Sequence, residues 1–222
     1  MKQGTQHQVH IGEVIRNAVV FNFRENPGDE MNTDTLLDTV ARLFRLLSER
    51  EIEYAVVGGI ALLQYVEGRN TDGIDLVLAP SSLQRLPEIL IASKEADFAR
   101  GTFGVVRVEL FLTSNSLFEK VRQSYVTTQR FVEQEVRCAT VEGLLLMKMY
   151  ALPSLYRQGS FARVGLYEND IATLLHDCKP NLDPLLEELA LHLSATDLAE
   201  VHRIITEIHE RIERFEEGST RS

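Results

Sequence analysis

Cysteine is scarce in this chain: Cys138 and Cys178 are the only two in 222 residues, and neither stands in a CxxC or Cys/His spacing. Neither a disulfide framework nor a structural zinc site is implied, and the expectation is reduced thiols in a cytoplasmic protein. No apolar run approaches the roughly 20 residues that span a bilayer, and the opening MKQGTQHQVH lacks the apolar core of a secretory signal. No membrane role is expected. Basic residues are outnumbered, 23 Lys and Arg against 33 Asp and Glu, for a formal net charge of −10. Such a surface repels polyanions, so non-specific nucleic-acid binding is disfavoured, while a local basic cleft stays open as a reading. The six-residue P-loop spacing ending in Lys-Ser/Thr and the three-glycine dinucleotide fingerprint are also missing, which removes the main support for kinase, GTPase and dehydrogenase readings.

What is present fits an ordinary globular protein, 44% hydrophobic and 25% charged, long enough to bury a core as one domain or as one domain with a helical appendage. Its most informative stretch is Tyr54–Leu78, YAVVGGIALLQYVEGRNTDGIDLVL. Tyr54–Val57 and Ile74–Leu78 are short β-branched runs bounded by turn residues, which predicts two buried strands with a helix between them. Gly58 and Gly59 fall at the strand-to-helix turn. Glycines there let backbone approach a ligand closely, and the N–H groups opening the helix favour phosphate; a plain tight turn is the alternative.

Residues 1–30 read as an N-terminal arm, weakly ordered or adding a strand, and end in the turn signal Asn26-Pro27-Gly28-Asp29. Leu36, Leu37, Val40, Leu43, Phe44 and Leu47 recur at helical steps through Arg50, predicting an amphipathic helix on the sheet. Ser81 and Ser82 suggest a cap for a helix over Leu83–Ala92, and Phe103–Leu112 reads as one apolar run with Glu109 embedded in it. A buried unpaired carboxylate is costly, so Glu109 either serves a site or faces solvent on an edge strand. A short helix over Ser114–Gln123 and a hairpin or edge strand over Tyr125–Cys138 follow. Thr140 and Glu142 then open an apolar helix that carries one cation, Lys148, and whose end Pro153 marks. That lysine either snorkels to solvent or faces a negative site. Gln158–Val164 reads as a loop, and Tyr167–Leu175, the segment after Asn181 and Asp197–Phe215 as helices whose acids form a solvated face. The domain plan is therefore an arm (1–30), a strand domain (31–139) and a C-terminal helical domain (140–222).

Taken together, Gly58-Gly59 with Ala61-Leu62 behind, Arg69-x-Thr71 leading into Ile74-Asp75-Leu76, Glu109, Glu142-Gly143-Leu144 leading to Lys148, and Asp170-Ile171 resemble the nucleotidyltransferase superfamily. The likeness is greatest to the group that holds the abortive-infection nucleotidyltransferase toxins and related bacterial proteins. The resemblance spans roughly Leu36 to Leu175. It implies an α/β (α+β) fold with a mixed sheet, flanking helices and a helical C-terminal part. It also implies transfer of a nucleoside monophosphate from an NTP to a hydroxyl, with Mg²⁺ or Mn²⁺ on carboxylate oxygens offsetting charge at the α-phosphate. Carried over by position, Asp75 and Glu109 are catalytic metal ligands, and Gly58 and Gly59 form the phosphate turn. Arg69 and Thr71 contact nucleotide or orient the acids, Lys148 approaches the nucleotide, and Asp170 orients it or fixes the helical part. Glu109 replaces the more usual Asp.

One position departs from that pattern. The family usually carries an acid two residues before Asp75, and this chain has Gly73. Side chains alternate along a strand, so Asp72 points to the other face unless a bulge turns it inward as a metal ligand. Three explanations follow: Asp72 substitutes through irregular geometry, the protein is catalytically degenerate and binds nucleotide or a partner only, or Gly73 stands for an original Asp. The acceptor stays open among an RNA end such as tRNA, a protein and a small molecule. A cognate antitoxin and self-association through the helical part are further expectations.

Overall fold

The computed structural model describes residues 11–15, 33–66, 71, 73–131 and 134–219. The chain divides into two compact units, Met1–Ala139 and Thr140–Ser222. The first unit is built on a mixed seven-stranded sheet in the order β3-β4-β5-β2-β1-β7-β6. The strands are β1 (Tyr54–Val57), β2 (Gly73–Leu78), β3 (Ile89–Lys94), β4 (Phe98–Phe103), β5 (Val106–Leu112), β6 (Val126–Arg130) and β7 (Glu135–Ala139). β2 runs antiparallel to β1 and parallel to β5, and β1 runs parallel to β7. The hairpins β3–β4–β5 and β6–β7 extend the sheet on either side.

The side-chain period of two sorts this sheet into faces. Tyr54, Val56, Leu76, Leu78, Leu110, Leu112 and Cys138 are buried and share one face through the register Val56↔Leu76, Val56↔Cys138 and Leu76↔Leu110. Helix α1 (Thr33–Glu49) covers this face, its Phe44 ring 6.2 Å from that of Tyr54 and its Arg42 guanidinium 5.8 Å from the ring of Phe103. Residues 11–15 are helical, with Ile11 and Ile15 buried, and Gly12 lies so close to Leu37 that a Cβ there would stand 2.4 Å from its Cδ2. Within the expected N-terminal arm this piece is thus a packed helical turn, not a strand; the rest of the arm lies outside the described residues.

The opposite face is laid out in rows across β4, β5, β2 and β1. One row is Phe98–Phe111–Val77–Ala55. Helix α4 (Ser116–Ser124) covers it, capped by the Asn115 side chain, which accepts from Leu117 N–H at 3.0 Å. Phe118 meets Phe111 edge-on at 5.4 Å and Phe111 meets Phe98 at 5.2 Å, each contact contributing about 0.5–1.5 kcal/mol beyond burial. Arg122, 8% exposed, ties the helix down by donating to Glu53 at 2.5 Å, while another of its donors goes to Glu119 of the same helix at 2.7 Å. The next row outward carries the charged residues of the site.

Two expectations about this unit are corrected. Leu83–Ala92 is not a helix: helix α3 (Pro80–Leu83) is one turn long, and Pro87 precedes the edge strand β3. Proline lacks the N–H that a helix needs and biases its predecessor toward extended backbone. The run Phe103–Leu112 is not one strand either. Gly104 adopts φ +56 and turns the chain between the paired residues Phe103 and Val106, a two-residue hairpin with glycine first.

The second unit is helical: α5 (Val141–Arg157), α6 (Phe161–Cys178), α7 (Asp183–Ala190) and α8 (Ala195–Ser219). Thr140 caps α5, its Oγ1 accepting from Gly143 N–H at 3.3 Å. Pro153 does not end α5, which continues to Arg157 with Leu152 and Leu155 buried. A mid-helix proline costs about 3 kcal/mol, and burying two leucines contributes about as much or more. The expected loop shortens to 158–160, because α6 already begins at Phe161.

Candidate active site

The strand β1 ends at Val57, and Gly58 follows with φ +63, a left-handed conformation open to glycine at no steric cost. The positive φ is only half of the requirement. A Cβ on Gly58 would lie 1.8 Å from Asp75 Oδ2 and 2.7 Å from its Cγ, so the Asp75 carboxylate occupies the space that any side chain at 58 would claim. Gly59 is equally hemmed in, since a Cβ there would stand 2.4 Å from Thr71 Cβ. Thr71 in turn donates its hydroxyl to the Gly73 carbonyl at 3.1 Å, which fixes the entry to β2. Helix α2 (Gly58–Leu62) is only five residues long, too short to develop much of a macrodipole, so close backbone approach is what the glycine pair offers.

Asp75 and Glu109 are register partners on the parallel strands β2 and β5, about 4.8 Å apart in backbone spacing and on one face. β5 lies between β4 and β2, so Glu109 is not on an edge strand; its side chain is 24% exposed. The charged row reads Arg100–Glu109–Asp75–Val57 across four strands. Arg100 Nε lies 3.4 Å from Glu109 Oε1, and the guanidinium sits 4.6 Å from the ring centre of Phe98. One step further out, Arg107 is the partner of Gly73.

Gly73 itself is sterically committed. A Cβ there would lie 2.8 Å from the Arg107 carbonyl oxygen and 3.2 Å from the Arg107 Cβ, closer than a side chain tolerates without displacing one of the two strands. Pairing between β2 and β5 is unbroken from Gly73 to Leu78, so no bulge occurs there. Asp72 and Arg69 lie outside the described residues.

Lys148 and Asp170 belong to the helical unit, where they pair: Lys148 Nζ donates to Asp170 Oδ2 at 2.7 Å, with the side chains 7% and 1% exposed. The ammonium also stands 4.4 Å from the centre of the Tyr167 ring. Of the alternatives for Lys148, snorkelling to solvent is ruled out by this burial.

The residues brought together are therefore Gly58, Gly59, Thr71, Gly73, Asp75 and Glu109, with Arg100 and Arg107 beside them. Sequence pattern does not single out the two arginines. The spacing Arg107-x-Glu109 on a strand places both residues on one face, and that is the available signal. Two hard-oxygen carboxylates in register suit one divalent cation shared with substrate phosphates, the manner in which Mg²⁺ is usually held. No set of three or more His, Cys, Asp or Glu suited to a metal is found among the described residues.

No protein-family model matches the chain, and no curated protein sequence matches it. Solved structures do. An antigenic nucleotidyltransferase-like protein from Paracoccidioides brasiliensis matches with a TM-score of 0.53 at 18% identity, over 80% of this chain and 89% of that one. The antibiotic-resistance factor ANT(2'')-Ia matches in its solution structure at 11% identity and a TM-score of 0.49, over 83% of this chain and 98% of that one. Its crystal structure with adenylyl-2''-tobramycin matches at 12% identity and a TM-score of 0.46, over 78% and 98%. At such identities the likeness concerns architecture, and by the first of these structures, together with the mixed sheet and flanking helices, the fold is nucleotidyltransferase-like.

Proposed function

We propose that the chain transfers a nucleoside monophosphate from an NTP to a hydroxyl acceptor. The observation that carries this reading is the register pairing of Asp75 with Glu109 beside a glycine, Gly58, whose missing side chain makes room for the Asp75 carboxylate. The triphosphate lies with its β- and γ-phosphates over Gly58 and Gly59 and its α-phosphate at the acid pair. A divalent cation such as Mg²⁺ or Mn²⁺, bound by Asp75 and Glu109, would offset charge on the α-phosphate and the attacking oxygen. Thr71 holds the turn through its bond to Gly73. A Glu109 carboxylate oxygen takes the acceptor's proton as the new oxygen–phosphorus bond forms, and pyrophosphate leaves with the electrons of the broken bond.

The test is incubation of the full chain with each α-labelled NTP, Mg²⁺ and a mixed acceptor extract. Labelled product is expected with the parent and at least 100-fold less with Asp75→Asn, since removal of one group that stabilises transition-state charge costs about that much. No product from the parent under any condition removes the enzyme reading.

A second reading has its own observation: Gly73, where the resemblance leads one to expect an acid, has no room for a Cβ. On that reading the fold binds nucleotide or a partner without turnover, and metal-independent NTP binding unaffected by Asp75→Ala favours it. The sequence resemblance to the toxin group makes a cognate antitoxin a partner to test, and growth arrest on expression, relieved by a neighbouring gene, is its test.

A further inference from the structure

We infer that the outer edge of β3 is an interface between two copies of this chain, which pair antiparallel, β3 against β3, about a two-fold axis at Ile91. β3 stands at one end of the sheet and has β4 as its one neighbour among the described residues. A strand in that place presents a row of backbone N–H and C=O groups to which another strand can bond. Its side chains are of a kind that a solvated edge usually avoids: Leu90 is 68% exposed and Ile91 41%, and every residue from Leu90 to Lys94 is exposed. With a side-chain period of two, Leu90 and Ile91 lie on opposite faces. Apolar surface therefore flanks the edge on both sides, which a strand laid alongside covers and a helix on one face does not.

The opposite end of the sheet is built differently. β6 reads VTTQR, polar after its first residue and ending in a charge, the composition that discourages edge pairing. Between Ile89 and Ser93, β3 has neither charge nor proline. A bulge between Ile91 and Ser93 bends its far end, but Ile89, Leu90 and Ile91 keep regular register with Phe103, Thr102 and Gly101.

Charge selects a second copy as the occupant. Over Glu88–Lys94 the sequence runs acid, five uncharged residues, base. Antiparallel pairing about Ile91 matches residues equally far from it on either side, so Lys94 of each copy comes to the partner's Glu88, Ile91 stands opposite the partner's Ile91, and Leu90 lies diagonal to the partner's Leu90. Lys94 makes no ion pair among the described residues, and its long side chain spans the offset of the bulge. Glu88 shares its carboxylate with Arg50 yet keeps a side chain 27% exposed, open to a second cation. Parallel pairing in register would instead set Lys94 beside Lys94 and Glu88 beside Glu88, and like charges placed so are destabilising. The two-fold arrangement is isologous and closes at a dimer. Two short strands bury less than the roughly 1,200 Å² of a standard interface, so association is concentration-dependent.

The experiment is sedimentation velocity on the full chain from about 1 to 300 µM at low salt, the range where a small interface assembles. The average mass is expected to rise from one chain toward two. Ile91→Lys sets two ammonium groups opposite each other and removes apolar contact, and should weaken association at least about tenfold. Lys94→Glu should weaken it several-fold, and adding Glu88→Lys should restore it, an exchange that a merely structural role would not reverse. Melting curves confirm that each variant is folded. For register, Ile91→Cys in a Cys178→Ser background should cross-link on mild oxidation, since directly opposite Cα atoms lie about 4.5–5.5 Å apart, within disulfide reach; Thr128→Cys on β6 in that background should not. A single-chain mass at every concentration overturns the inference. So does a dimer that Ile91→Lys leaves unchanged, which places the contact elsewhere, or a mass that climbs past two chains, which contradicts closure.

Discussion

Removing the buried charge pair of the helical unit one partner at a time separates its role in folding from any role in chemistry. Lys148 and Asp170 meet at 2.7 Å with side chains only 7% and 1% exposed. In Lys148→Met the carboxylate stays buried without its counter-ion, and in Asp170→Leu the ammonium does. Either loss should cost about 3–5 kcal/mol, whereas the double variant, which buries neither ion, should fall within about 1 kcal/mol of the parent or exceed it. The Tyr167 contact adds about 0.5–2 kcal/mol to the stabilisation of the lysine, too little to reverse that order. The assay is urea unfolding of the parent, both single variants and the double, read as a double-mutant cycle. On those figures the coupling is at least about 5 kcal/mol, the two single losses less that of the double. Single variants each within about 1 kcal/mol of the parent would refute the reasoning, because a pair so dry cannot lose one member cheaply. The double variant then serves a second purpose. Full nucleotidyl transfer in a stable double variant confines the pair to the fold; lost transfer at unchanged stability gives the pair a part in the reaction.

Three further outcomes are expected. Gly73→Asp should lose about 1–3 kcal/mol by overpacking, since its Cβ would stand 2.8 Å from the Arg107 carbonyl oxygen; a variant as stable as the parent with raised transfer would show that the strands accept an acid there. Hydrogen bonding from Arg50 lowers the Glu88 carboxyl to about 2. A folded-state value below the ordinary 4.5 contributes stability above that pH that fades as pH falls toward 2. Urea midpoints of parent and Glu88→Gln should accordingly differ modestly at pH 7, the pair being partly exposed, and converge by pH 2; an equal gap at both refutes the linkage. Burial pushes the Cys138 thiol up to about 12, while Cys178 is exposed and raised by partial burial and then by Asp177 and Glu142. A thiol reagent at pH 8 should therefore modify one cysteine at once and the other only on unfolding, and Cys178→Ser should abolish the fast phase.

The central strands are legible in the sequence because β1 and β2 are short apolar runs framed by turn residues, and the glycine pair marks the turn between them. The hairpin β3–β4 is not. Its outer strand, Ile89–Lys94, exposes most of its residues, so no alternation announces it, and Leu83, Leu86 and Leu90 mimic a helical stripe until Pro87 is weighed. Gly104 is the one local mark that Phe103–Leu112 turns back on itself. At the site, alternation places Asp75 and Gly73 on a common face, but which residue of another strand stands beside them is a long-range fact. The pairing of Asp75 with Glu109 joins residues 34 positions apart in sequence, and periodicity within a strand is silent on partners. For the same reason the arginines beside the acids cannot be located from pattern, although their identity is in plain view. In the helical unit, Pro153 misleads because the burial of Leu152 and Leu155 outweighs its local cost.

The rows of the site face also make the protein sensitive to a kind of change unlike substitution. Successive rows are two residues apart, about 6.6 Å along the strand, and alternate rows across four strands are apolar and then charged. Deleting one residue from β2 between Gly73 and Leu78 would swap its two faces: Asp75 would turn toward the layer of Phe44 and Tyr54, and Leu76 or Ile74 would stand in the charged row. Length in this strand is therefore as strictly specified as identity across the six residues of β2.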